Sequence, residues 1–201
     1  MITKSLTVVF IVISLAFMPV AYCQAHTPET INNKPVYEVE VMPVVETTLS
    51  RMWDAADAVV DVQIENSVVK SISSPGIGGR PRTPLIRTFH TSKVLRIIKG
   101  DFKGSTIVFS QFAGQLELPD KILRIADSEP LAAGARYVVF LRRSESSGPW
   151  TLVGEQDGAF KLEKGRLKPQ GRGIVAEEHS NITERQFRDE LDRVARVRQA
   201  Y

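Results

Sequence analysis

The sequence predicts a mostly-β domain: a small closed or part-closed antiparallel barrel with short helices near its two ends. Three observations carry this. Five or more short segments after residue 57 have the apolar spacing of strands and are separated by turns. One long connection, residues 114–134, interrupts them in mid-domain. Helical spacing is confined to a stretch near residue 50 and to the C-terminus, which places the helices at the periphery.

The composition fits this class. The chain has 201 residues, 43% hydrophobic and 24% charged, which is ordinary globular composition and excludes disordered and fibrous classes. Lys4 is the only charge before Glu29, and residues 6–20 are apolar except for Thr7 and Ser14. Small residues follow at Ala21 and Ala25. A positive start, an apolar middle and a small-residue exit are the parts of a secretory signal, expected to occupy residues 1–25. The apolar run falls short of the ~20 residues a bilayer-spanning helix needs, so no membrane span is expected after signal removal. Cys23 is the only cysteine. Bulky Tyr22 before it argues against lipidation, and cleavage after Cys23 or after Ala25 removes it. The mature chain is then free of disulfides, and an export setting in a bacterial envelope, periplasmic or extracellular, is expected. Roughly 175 residues remain, enough for one self-supporting core. The net charge of +3 falls to +2 without Lys4, which gives no strong steering toward nucleic acid or an anionic membrane.

The elements follow in order. Residues 26–47 are an arm or linker, with one alternating stretch at residues 37–41 that can add a short strand. Thr47 or Thr48 can cap a helix in which Leu49, Met52, Trp53 and Ala56 form one apolar stripe. Val60, Val62 and Ile64 alternate with polar residues as a first strand, which residues 68–72 continue after a kink at Asn66 and Ser67. Residues 73–84 form a Pro/Gly-rich loop. A second strand spans residues 86–98; its apolar side switches between Thr91 and Val94, which predicts a bulge or strong coiling. Residues 106–112 make a third strand, and residues 135–141 a fourth with both faces covered. Residues 150–153 make a fifth, and Glu163-Lys164-Gly165 turns a hairpin. Thr183 and Gln186 form a capping box before a helix that buries Phe187, Leu191, Val194 and Ala195. The resulting division is signal 1–25, arm 26–47, barrel 48–170, and linker with C-terminal helix 171–201.

The order of pieces resembles the OB-fold of the tissue-inhibitor-of-metalloproteinases and netrin-like group, and more closely the bacterial exported domains of that type. The carrying residues are 54–60 (DAADAVV), 91–104 (TSKVLRIIKGDFKG), 130–141 (PLAAGARYVVFL) and 150–162 (WTLVGEQDGAFKL). The resemblance implies a mostly-β, five-or-more-stranded antiparallel OB-like barrel in an exported, non-enzymatic setting. In the animal inhibitors of that group, the N-terminal cysteine chelates the target's zinc. The mature chain here lacks cysteine and begins with an arm, so that inhibitory role passes to no residue.

Candidate sites were weighed by their chemistry. His26, His90 and His179 lack a second ligand at metal spacing, and Glu177-Glu178-His179 reads as a solvated approach to the last helix, so no metal and no cofactor are expected. No nucleophile-elbow motif occurs, and Thr91 and Ser92 flank His90 along a strand, so no enzyme is expected. Asp54, Asp57 and Asp61 span a helix end and a strand start with no assured common face. Phe89, Phe109 and Phe112 are expected to fill the barrel rather than stack bases, and no nucleic-acid partner is expected. Asn181-Ile182-Thr183 matches a glycosylation sequon, but Thr183 is already assigned as a cap. Within residues 75–82 (PGIGGRPR), Arg80 and Arg82 are the candidate binding residues, facing an acidic partner. The expected function is an exported, non-catalytic module that binds a protein or envelope component through barrel-end loops. The alternatives are a structural or accessory envelope protein, a protease-inhibitor-like protein and a hydrolase.

Overall fold

The computed structural model describes residues 20–22, 29–42, 48–73, 84–143 and 149–199. Lys4, Cys23, His26, Arg80 and Arg82 lie outside the described residues. The strands are β1 (Val20–Tyr22), β2 (Thr30–Ile31), β3 (Lys34–Met42), β4 (Ala58–Ser73), β5 (Pro84–Lys99) and β6 (Thr106–Gln111). They continue as β7 (Gln115–Glu117), β8 (Ile122–Ile125), β9 (Arg136–Arg143), β10 (Trp150–Leu152), β11 (Ala159–Glu163) and β12 (Arg166–Pro169). The helices are α1 (Leu49–Ala55), α2 (Ile174–Glu178) and α3 (Glu184–Gln199). The described residues fall into two compact units, one from residues 45–67, 90–111 and 131–201, the other from residues 1–44, 68–89 and 112–130.

The first unit holds the barrel. Its strands run in the order β10-β6-β5-β4-β9, and β9 pairs back onto β10 to close the ring. The fold is therefore mostly β and an OB-like barrel of five strands, as the sequence predicts. One pairing is parallel: β10 runs beside β6 with Trp150 opposite Phe109. Alternation sorts the side chains. Val60, Val62 and Ile64 of β4, Phe109 of β6 and Tyr137, Val139 and Leu141 of β9 fill the interior. Val59, Val138 and Phe140 face the other way and meet Met52 and Trp53 of α1, Val175 of α2, and Phe187 and Leu191 of α3. β9 is thus apolar on both faces because both faces are covered. Each such large side chain, fully buried, contributes about 1.5–3 kcal/mol.

Local chemistry sets the ends of the helices. Thr48 accepts a hydrogen bond from the Arg51 amide at the start of α1. Lys99 Nζ donates to the Trp53 and Ala56 carbonyls at its end, at 2.5 and 2.6 Å. Before α3, Thr183 and Gln186 exchange bonds as a capping box: the Thr183 amide donates to Gln186 Oε1 and the Gln186 amide to Thr183 Oγ1. Lys164 and Gly165 both have positive φ in the β11–β12 turn, as a tight hairpin requires.

The second unit is a small sheet in the order β1-β3-β8-β7, with β2 against β3. β3 and β8 are parallel, Val36 opposite Ile122 and Val39 opposite Ile125. Residues 122–125, within the stretch expected to be one long connection, are therefore a strand. Val39, Ile86, Leu123 and Ile125 form the core of this unit, with Val69, Leu116 and Leu118 against it. β1 lies within the stretch expected to be removed as a signal and occupies one edge of β3.

On β5 the expected switch of sides is absent. Ile86, Thr88, His90 and Ser92 are all buried, so the inward parity is constant and its middle is polar. The apolar residues Leu95 and Ile97 lie outward, 43% and 40% exposed. The polar atoms tolerate burial because most find partners: Thr88 Oγ1 donates to the Ala113 carbonyl at 2.7 Å, and His90 bonds at both ring nitrogens. Ser92 Oγ has no partner.

Candidate functional site

The site forms on the parts of β4 and β5 that belong to the second unit, residues 68–73 and 84–89. Two backbone features place its side chains. On β4, Ile64 is buried, Glu65 and Asn66 are both exposed, and Ser67 then bonds His90. Two outward residues in succession shift the parity by one, as a bulge does, so Val69 turns inward while Val68 and Lys70 face out. On β5 the constant parity puts Leu85, Arg87 and Phe89 on one face while Ile86 and Thr88 are buried.

The two strands share that face. The Lys70 ammonium lies 5.5 Å from the centroid of the Phe89 ring, and the Arg87 guanidinium stands 3.9 Å from the centroid of Phe112. Each such contact holds a cation over an aromatic face, for about 0.5–1 kcal/mol where water has access. Exposed Val68 lies beside Lys70 on β4, and half-buried Leu85 and Phe89 flank Arg87 along β5. Val68 is 44% exposed. This corrects the expectation that three phenylalanines fill the barrel. Phe109 does, at 0% exposure, whereas Phe89 and Phe112 support cations in the second unit.

A signal for this site exists in the sequence. From Asn66 to Gly100 there is no Asp or Glu, and seven Lys and Arg occur, more than twice the net charge of the whole chain. Averaging charge over all residues conceals this local excess. Arg80 and Arg82 belong to the same stretch, and their placement is outside the described residues.

The other candidates resolve into separate structural roles. His90 is fully buried in the barrel unit, with Nε2 2.9 Å from Gln111 Oε1 and Nδ1 2.7 Å from Ser67 Oγ. A carboxamide oxygen only accepts, so Nε2 carries the proton and Nδ1 accepts from the Ser67 hydroxyl. Burial lowers the imidazole to about 4, against a smaller opposing effect of the Gln111 bond. The three aspartates do not converge. Asp54 pairs with Arg198, Asp57 Oδ2 accepts from the Arg143 amide at 2.8 Å, and Asp61 is held by Arg136 and Arg188. His179 is 4% exposed, its Nδ1 2.7 Å from the Val175 carbonyl and its Nε2 3.0 Å from Glu190 Oε2. Its ring packs edge-on against Phe160 and Phe187, so it belongs to the core between barrel and helices rather than to a solvated approach. Among the described residues no three His, Cys, Asp or Glu side chains are grouped to hold a metal ion.

Fold and site together define an OB-like barrel with a basic, aromatic-backed strand pair. No family model and no curated protein matches the chain.

Proposed function

We propose that this protein is an exported, non-catalytic binding module that recognises an envelope component through the β4–β5 face and the loop joining those strands. The observation that carries the reading is the pair of cation–aromatic contacts, Lys70 over Phe89 and Arg87 over Phe112, in a stretch of β4 and β5 without acidic residues. In OB-folds the face of strands two and three and the loop between strands one and two commonly contact ligands, which is where β5 and residues 74–83 fall in chain order. Arg80 and Arg82 extend the basic character through that loop.

The test is co-sedimentation of the purified chain with envelope material, comparing wild type with Lys70→Gln/Arg87→Gln and with Arg80→Ala/Arg82→Ala. Loss of the bound fraction in both double variants, with unchanged melting temperature, supports the reading. Undiminished binding in both sinks it.

One observation favours a second reading, a hydrolase with Ser67 as nucleophile: its hydroxyl donates to His90, which Gln111 orients. An imidazole held near 4 is a weak base at neutral pH, which ranks this reading below the first. Covalent labelling of Ser67 by a fluorophosphonate would reverse the ranking.

A further inference from the structure

Resting on the export proposed above, we infer that removal of residues 1–25 opens the edge of β3 at residues 40–42, and that this edge takes an extended, uncharged segment of a partner protein as an added antiparallel strand. The argument concerns the second unit alone. In the structure this place is filled by β1: Val20 lies opposite Met42, Ala21 opposite Val41 and Tyr22 opposite Glu40. β1 falls wholly inside the expected signal, so processing deletes the neighbour and leaves β3 intact. β3 stays anchored without it. β8 pairs with Val36–Val39 on the far side, β2 pairs with Lys34 and Pro35, and Val39 is buried in the core of the unit.

The ladder shows which backbone groups are freed. The Val36 amide donates to the Glu29 carbonyl at 2.8 Å, away from β8, whereas the Val39 carbonyl accepts from the Ala126 amide at 3.1 Å, just past the end of β8. Successive residues of a strand alternate the side to which their N–H and C=O point. Glu40 and Met42 therefore direct both groups at β1, and Val41 directs its own the other way. Such an edge is a template for a further strand, which binds through main-chain hydrogen bonds. The occupant now seated, Val20-Ala21-Tyr22, is extended and carries no charge, which is the chemistry the edge accepts. A second copy fits less well. Glu40 is exposed, and two β3 strands paired about it would set two carboxylates opposite each other.

The experiment compares the full chain, made without export, with the chain recovered from the envelope after its own processing, its N-terminus read by mass. The probe is a fluorescein-labelled peptide of residues 19–25 with Cys23→Ser. It should bind the processed chain, and at least about tenfold more weakly the full chain, where β1 competes for the edge. Methylating the peptide's Tyr22 amide, which faces β3, should weaken binding about tenfold, and methylating its Ala21 amide should change little. Glu40→Pro removes an N–H that faces the edge and none that faces β8. It should weaken binding likewise at an unchanged melting temperature, and Glu40→Ala, which keeps that N–H, should bind as wild type does. Equal binding to processed and full chains overturns the inference, as does equal loss on methylating Ala21 and Tyr22. A processed chain that elutes as a dimer and ignores the peptide assigns the edge to a second copy and overturns the partner assignment. A processed monomer that ignores the peptide sinks the inference and leaves the binding-module reading standing. A chain that remains unprocessed sinks both the inference and the export on which it rests.

Discussion

Asp61 is held by both Arg136 and Arg188: Arg136 grips it through Nε at 2.8 Å and Nη2 at 2.6 Å, and Arg188 Nη2 adds a third bond at 2.8 Å. Glu184 Oε1 accepts from the same two guanidiniums, at 3.1 and 2.6 Å, so α3 is tied to β4 and β9 by a neutral four-charge cluster. Asp61 is 1% exposed and depends entirely on these partners. Asp61→Ala leaves two arginines facing a vacant carboxylate site. It should destabilise the fold by about 2 kcal/mol, a moderate value because both arginines keep some access to water. Urea unfolding of the variant gives the value directly, and a change under about half a kcal/mol would contradict this account.

His90 should make stability pH-dependent. Its imidazole, ordinarily at 6.5, is lowered to about 4 by burial, so the folded state favours the neutral ring. The unfolded chain binds a proton below 6.5 that the folded chain refuses until about 4. Stability is therefore full above the ordinary value and falls through that window as pH drops, by about 3 kcal/mol in all. The difference in unfolding free energy between wild type and His90→Gln, followed from neutral pH down to about 4, should show this slope. Parallel curves would count against a buried neutral ring.

Lys99 works as a helix cap made from outside the helix. Its ammonium bonds two carbonyls at the end of α1 and stands 5.4 Å from the centroid of the Trp53 ring. Burial lowers its pKa, against opposing attraction from Asp54 and Asp57. Lys99→Met keeps the stem and removes the donors, and should cost about 1–2 kcal/mol. A fall in melting temperature with loss of near-ultraviolet Trp53 ellipticity would report it; an unchanged near-ultraviolet spectrum would refute the role.

Gly158 has no room for a side chain. A Cβ there would lie 2.3 Å from the Val153 carbonyl oxygen, a backbone atom that cannot rotate away. At Gly165, by contrast, nothing lies within 4 Å. Gly158→Ala should lower the melting temperature by several degrees, at about 2–4 °C per kcal/mol for a chain of this size. Gly165→Asn, which suits positive φ, should change it little. Equal melting temperatures for the two variants would mean the β10–β11 connection can shift.

These residues also show what could be read in advance. Helices α1 and α3 were legible because their signals are local: Thr48, Thr183 and Gln186 cap as their spacing demands, and Trp53, Phe187 and Leu191 are buried on the stripes that periodicity marks, whereas α2 falls where a linker was expected. β9 was legible as an unbroken apolar run. β5 was misread because hydrophobicity and inward parity disagree there. Thr88 and His90 are inward, satisfied by Ala113, Ser67 and Gln111, partners that no local rule pairs with them. The site was missed for a related reason. Lys70 faces outward only because of the shift at Glu65 and Asn66, and its partner Phe89 lies beyond a long loop.

The parallel pairing of Trp150 with Phe109 fixes when the ring can be completed. During vectorial emergence of the chain, β4, β5 and β6 precede β10 by a long interval, and throughout it the outer edge of β6 has no neighbour. Nascent chains with such open edges are prone to pair with one another. Folding yield should therefore depend on how quickly the segment ending at Leu152 follows, and on whether a chaperone shields that edge until it arrives.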